Sequence, residues 1–160
     1  MRFYIDGYNF LYFFSQTDGP LRSQREEILS FIDSFAGKLG LQITIVFDAQ
    51  HTFGEVAKRD FFGALEIIYT PEKMTADDLL LEMLRVKKSH DQITIVTNDK
   101  KLASLCRQLG ARTISHSAFL AFLAKKELKK EEQSQVNPQD SPAQIKRLRA
   151  IFEKKLKDNS

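Results

Sequence analysis

The chain reads as an α/β domain built on a mainly parallel sheet. Three observations carry that expectation. β-Branched and apolar runs of strand length recur through residues 2–114. Between them lie stretches with apolar residues three and four apart, the spacing of a helix face. The junctions carry Ser, Thr, Gly and Pro, the residues that start and stop helices. Strands alternating with helices give a parallel sheet flanked by helices, with right-handed crossovers.

Arg2–Asp6 is the first strand, with Phe3 and Ile5 apolar. Ser23 offers an N-cap to a helix carrying Ile28, Ile32, Phe35, Ala36 and Leu39, which Gly40 ends. Leu41–Asp48 is a second strand and Ala64–Thr70 a third. The second, a β-branched run, reads as a buried strand. Thr75 opens a helix with Leu79, Leu80, Met83 and Leu84. Gln92–Thr97 is a fourth strand, Lys100–Leu109 a helix closed by Gly110, and Ala111–Ile114 a fifth strand. Ser117–Lys126 is the last helix of a domain that spans residues 1–124.

Residues 125–140 read as a polar linker, most clearly over Lys129–Asp140, which is almost free of apolar side chains. Ser141-Pro142 then starts a helix over residues 141–160, with Pro at its first position. Ile145, Leu148, Ile151, Phe152 and Leu156 form its apolar stripe. Lys146, Arg147, Arg149, Lys154, Lys155 and Lys157 cover the rest.

The composition bounds the function. The chain has 160 residues, 42% of them hydrophobic and 28% charged, enough to bury a core without staples. Cys106 is its single cysteine, so no intrachain disulfide forms, and the thiol is expected buried on a helix. No run approaches the ~18 apolar residues of a membrane span. Asp6 and Asn9 interrupt the apolar N-terminus and no small-residue cleavage site follows, so no secretory signal is expected. A reduced, cytoplasmic location is expected instead. Residues 1–124 carry 14 Lys+Arg against 15 Asp+Glu, and residues 125–160 carry 10 against 6. The net +3 therefore belongs to the tail. A basic tail suits a polyanion such as nucleic acid, free or in a nucleoprotein; a solvated helix or a protein-docking helix has the same composition.

The acids at strand ends carry the chemistry. In an open parallel sheet, ligands bind beyond the carboxyl ends of the strands. Asp6 closes the first strand and precedes Gly7-Tyr8-Asn9. Asp48 closes the second. Thr97-Asn98-Asp99 follows the fourth, and Asp77 and Asp78 open the helix after the third. Carboxylates gathered in one crevice repel each other. A hard divalent cation, Mg²⁺ or Mn²⁺, offsets that repulsion and is suited to phosphodiester hydrolysis. Each acid also has a structural reading. Thr75–Asp78 fits a capping box, Asp77 suits a helix N-terminus, Asp99 a helix cap and Asp48 a turn.

Other sites lack their residues. No Gly-x-Gly-x-x-Gly or Walker A sequence is present. A haloacid-dehalogenase-like phosphatase needs a second Asp where Tyr8 stands. His51, His90 and His116 lack zinc spacing.

The strings Ile5-Asp6-Gly7-Tyr8-Asn9, Val46-Phe47-Asp48-Ala49, Tyr69-Thr70 with Thr75-Ala76-Asp77-Asp78, and Val96-Thr97-Asn98-Asp99 resemble a YacP-like NYN domain. That family belongs to the PIN-like nuclease superfamily, which includes flap endonucleases. The resemblance covers residues 1–124. It implies a Rossmann-like sheet of order 3-2-1-4-5 and a metal-dependent endoribonuclease acting on RNA, here expected single-stranded. By position it implies metal ligands at Asp6, Asp48, Asp77, Asp78 and Asp99. Asp6, Asp77, Asp99 and Asn9 would be catalytic, with Asn9 orienting Asp6 or a water. Flap endonucleases place further acids where Thr75 and Lys101 stand, so one tightly held ion is expected, with a second recruited by substrate. RNA contacts are expected at Lys100, Lys101, Lys146, Arg147 and Arg149. The alternative is a weakly active RNA-binding or adaptor module of the same fold.

Overall fold

β1 (Arg2–Asp6) is buried because it lies inside a six-stranded sheet with a strand on each side. The structure, a computed structural model, describes residues 1–14, 19–49, 57–87 and 92–134, together with 147, 150, 151, 153 and 154. The chain forms two compact units, Met1–Ile114 and Ser115–Ser160.

In the first unit, β1 pairs in parallel with β2 (Gln42–Phe47) on one side and β5 (Ile93–Val96) on the other. β4 (Leu65–Tyr69) extends the sheet beyond β2, and β6 (Arg112–Ile114) extends it beyond β5. The expected order 3-2-1-4-5 is thus present as β4-β2-β1-β5-β6. An unexpected strand, β3 (Lys58–Phe62), adds itself antiparallel to the edge at β4. Four of its five residues are exposed, so it has no buried alternation to read. Gly63 makes the β3–β4 turn at φ 56°, and Asp33 Oδ1 accepts from the Ala64 amide at 2.7 Å. Arg59 pairs with Glu66 across the hairpin, and charged residues along such an edge discourage pairing with another sheet.

Strand alternation sends neighbouring residues to opposite faces. Tyr4, Val46, Ile68 and Ile95 point to one face. There they meet Leu80 and Leu84 of α3 (Ala76–Val86) and Leu102 and Cys106 of α4 (Lys100–Gln108). Cys106 is fully buried on its helix, and burial pushes its thiol up to about 11, so it is inert. The opposite face, which includes Phe47, meets α1 (Gly7–Phe14) and α2 (Leu21–Leu39). Phe14 and Phe31 join those two helices, ring to ring at 4.8 Å. α2 begins at Leu21 rather than after Ser23, because Pro20 sets its entry and accepts from the Gln24 amide. It ends at Gly40 in the left-handed conformation, as the sequence predicts.

α1 starts directly on the residue after Asp6. Gly7 permits this: a Cβ there would lie 2.5 Å from Cδ1 of Phe47, a ring with no exposed surface. Gly7→Ala should therefore cost about 1–3 kcal/mol, the usual cost of overpacking a filled site. A denaturant midpoint within error of the parent would show that the ring can yield.

In the second unit, α5 runs from His116 to Ser134. Residues 125–134, expected in a linker, are helical. Lys, Glu, Gln and Leu are strong helix formers, and no Gly or Pro interrupts them before Pro138. Phe119, Leu120 and Leu123 are buried on α5, as is His116, whose imidazole burial pushes down to about 4. Of the expected basic helix, Arg147, Ala150, Ile151, Glu153 and Lys154 are described and helical, with Arg147 and Lys154 exposed. Lys146, Arg149 and the rest of that stripe lie outside the described residues. No helix among the described residues is long and apolar enough to cross a membrane.

Candidate active site

Chain order and sheet order together locate a crevice. The chain moves outward from β1 through β2 to β4, then crosses back to β5 on the other side of β1. The two halves diverge at the carboxyl ends of β1 and β5, the switch point where α/β sheets bind ligands. Asp6 ends β1 there, aligned with Val46 of β2, and Ile5 is aligned with Val96 of β5.

Asp6 is 5% exposed and holds the centre of the site. Asn9, one turn into α1, donates from Nδ2 to Asp6 Oδ2 at 2.7 Å. Asp77, the second residue of α3, hydrogen-bonds to the Asp6 carboxyl. Burial pushes Asp6 up from 3.8 to about 7; the hydrogen bond and charge of Asp77 add to this, and Asn9 opposes it. Burial also raises Asp77; its hydrogen bond to Asp6 opposes this, and the charges of Asp99, Asp48 and Asp78 add to it. Each carboxyl is therefore held above its ordinary range, and their ionisations are coupled. Oδ1 of Asp77 is shut off from solvent with no hydrogen-bond partner. An orphaned carboxyl oxygen beside a second buried carboxyl marks a pair of acids lacking its counter-charge.

The other acids are each tied to a helix start. Asp48 Oδ1 accepts from the Ala76 amide at 2.5 Å, so the end of β2 caps α3 from outside. The Asp48 loop is held in turn by Thr70, whose hydroxyl accepts from Ala49 N at 3.0 Å. Asp99 caps α4, its Oδ1 accepting from the amides of Lys101 and Leu102 at 2.9 and 3.0 Å. Asp78 is exposed, and its amide donates to Thr75 Oγ1 at 3.1 Å, one half of a capping box. The structural readings of Asp48 and Asp99 as anchors are thus visible alongside their charges. Among the described residues, no three His, Cys, Asp or Glu side chains stand at the spacing of a ready metal cage. The acids that the sequence places together divide into a coupled pair, Asp6 and Asp77, and a surrounding field from Asp48, Asp78 and Asp99.

Lys100 and Lys101 are exposed in the first turn of α4, next to Asp99. Sequence reasoning missed three nearby side chains. Arg25 of α2 places its guanidinium 5.9 Å from the ring centres of both Phe47 and Tyr69. Tyr8 meets Phe47 edge-on at 5.0 Å and stacks with Tyr12 at 6.4 Å. The i, i+4 spacing of Tyr8 and Tyr12 was the available signal, masked by the surrounding phenylalanines.

The first unit is thus a doubly wound α/β domain with a pair of carboxyls short of positive charge at its switch point. The chain belongs to the YacP-like NYN domain family, which it matches over residues 3–159, so the family likeness runs well past residue 124. Membership implies a nuclease, hydrolytic kind of activity. The fold is similar to two crystal structures of Rae1 (YacP) from Bacillus subtilis. A tryptophan-to-leucine mutant superposes with a TM-score of 0.64 at 19% identity, covering 91% of this chain and 90% of that one. A second structure gives 0.60 at 21% identity, covering 98% and 92%. No curated protein sequence matches the chain.

Proposed function

We propose that this protein is a metal-dependent endoribonuclease whose crevice at the end of β1 holds Mg²⁺ or Mn²⁺. One observation carries the reading: Asp6 and Asp77 are hydrogen-bonded carboxyls, with Asp77 Oδ1 buried and unpartnered. Carboxylate oxygens deprived of a counter-charge suit a hard cation. Asp6 and Asp77 would hold it, with Asp48, Asp99 and Asp78 adding attraction. When bound, such an ion supplies charge neutralisation at a phosphoryl oxygen and an activated water.

The chain's own residues do the rest. Asn9 fixes the Asp6 carboxyl in one orientation. Asp48 ties the start of α3, and with it Asp77, to the end of β2. Lys100 and Lys101 offer positive charge to the substrate phosphates. Cations in the first turn of a helix oppose its dipole, so two lysines there have a local cost that phosphate binding would offset. In-line attack by water on phosphorus would leave a 5′-phosphate and a 3′-hydroxyl. The substrate is single-stranded RNA in a cytoplasmic setting, and the basic tail is the part fitted to a ribonucleoprotein.

The second reading, an RNA-binding or adaptor module of the same fold, is favoured by Asp48 and Asp99 each spending an oxygen on a helix cap. Labelled RNA and DNA oligomers incubated with and without Mn²⁺, with the ends mapped, decide between them. Mn²⁺-dependent internal cuts in RNA support the nuclease. Binding without cleavage, and no acid-dependent heat on titrating Mn²⁺, support the module.

Truncation after Ser134 tests the tail, with α5 left whole. It removes six Lys+Arg and three Asp+Glu. If the tail touches RNA, each lost phosphate contact should flatten the log–log salt slope by about 0.7. Identical slopes for both proteins on one labelled RNA would end that idea.

A further inference from the structure

Tyr12 is 65% exposed although it belongs to a helix otherwise rich in buried aromatics. Its ring lies 26° from parallel with that of Tyr8, and Tyr8 is braced edge-on by Phe47. The pair is therefore a mounted aromatic surface. Its position is specific. Asn9, which grips Asp6, and Tyr12 stand three residues apart on α1, the spacing that puts two side chains on one helix face. On the same side, Arg25 lies 5.9 Å from Phe47 and Tyr69, whose rings stack at 6.0 Å. Arg25 is only partly buried and forms no ion pair among the described residues. A guanidinium held by rings and not by a carboxylate keeps its donors available to an anion.

We propose that Tyr8, Tyr12 and Arg25 form a subsite for one nucleotide of single-stranded RNA beside the acidic crevice. Tyr12 stacks the base, Tyr8 backs it, and Arg25 holds a phosphate of the same strand. The assignment rests on the nuclease reading for its substrate class and adds the element that an acidic crevice lacks. Carboxylates repel the RNA backbone, so the strand must be gripped from outside the acids. Stacking supplies that grip without regard to charge, and it requires splayed bases, which a duplex does not present. An exposed Tyr12, a partly buried Tyr8 behind it and a cation on the Phe47 ring that Tyr8 also meets fit a base and its phosphate together.

The test uses the full chain with metal chelated, so that binding is read without cleavage. The probe is a labelled short single-stranded RNA, followed by anisotropy. Tyr12→Ala should weaken binding about tenfold, the effect of losing one stacked base. Tyr12→Phe, which keeps the ring, should bind as the parent does. Arg25→Gln should flatten the salt slope by about 0.7, whereas Tyr12→Ala should leave it unchanged. An abasic nucleotide moved along the probe should reproduce the Tyr12→Ala loss at one position, and there the two losses should not add. Because Tyr12 is exposed, an unaltered melting temperature is expected and separates lost contact from lost fold. Unchanged single-strand affinity in Tyr12→Ala, or an equal loss on duplex RNA, overturns the subsite. A protein that binds through Tyr12 yet never cuts RNA with Mn²⁺ overturns the nuclease reading and leaves the subsite standing. One that cuts normally while Tyr12→Ala binds as the parent does overturns the subsite alone.

Discussion

Asp6→Asn should abolish cleavage and, with metal removed, raise the stability of the protein at neutral pH. Burial, then the hydrogen bond and charge of Asp77, lifts the Asp6 carboxyl from 3.8 to about 7. An unfolded chain releases that proton near pH 4. Between pH 4 and 7 the folded state therefore holds more protons than the unfolded state, and stability falls as pH rises through that window. The amide of Asn does not titrate and keeps the shape. The variant should match the parent below about pH 4 and exceed it by on the order of 2–4 kcal/mol above pH 7. Adding Mn²⁺ should reverse the order at neutral pH. The parent gains binding free energy that the variant, with one ligand oxygen neutral, largely loses. Cleavage should fall roughly a thousandfold or more, the scale of several kcal/mol of charge stabilisation. Thermal melts across pH, in chelator and in Mn²⁺, check the whole pattern. A variant that melts below the parent at pH 8 in chelator would mean that the Asp6 charge serves the fold.

The sheet was legible because its five parallel strands are apolar runs bounded by helix punctuation. Gly40, Thr75 and Gly110 each stand where the sequence predicts a boundary. Two elements were hidden for opposite reasons. β3 is exposed along most of its length, so burial imposes no pattern on it. α1 is so rich in apolar residues that it lacks the polar face by which a helix is recognised, and it starts on a glycine that reads as a turn. The extension of α5 was hidden by polarity: Lys125–Ser134 looks like a linker by composition but like a helix by propensity. In the candidate site, position along the chain was enough to group the acids at one end of the sheet, since each ends a strand or opens a helix. Their inequality was not legible. Whether an acid faces a partner carboxyl or a backbone amide is decided across chain separations such as Asp48 to Ala76 or Asp6 to Asp77. No local pattern encodes those contacts. Arg25 escaped for the same reason, because its rings come from β2 and β4.

Asp77→Asn and Asp78→Asn should part company although the residues are adjacent. Successive helix residues point about 100° apart, so only one can face the crevice. Asp77 does: it is half-buried, bonded to Asp6, and leaves Oδ1 without a partner. Asp78 is exposed, and the bond it makes to Thr75 uses its amide, which Asn retains. The Asp78 carboxylate contributes mainly its charge at the start of α3, worth about 0.3–1 kcal/mol. Asp78→Asn should thus cost at most about 1 kcal/mol and change cleavage only a few-fold. Asp77→Asn should lower cleavage by roughly two to three orders of magnitude, a few kcal/mol of lost charge complementarity. It should also raise metal-free stability at pH 8, because burial holds the Asp77 carboxyl above its ordinary range and Asn relieves that penalty. The gain should be smaller than for Asp6→Asn, since Asp77 is less deeply buried. The double variant decides whether the two acids act as a pair. Their charges repel each other, so either substitution already removes that repulsion, and the two stability gains should sum to more than the double variant shows. Strict additivity, or equal loss of cleavage from Asp77→Asn and Asp78→Asn with stability unchanged, would mean that the crevice uses its acids as independent ligands and not as a coupled pair.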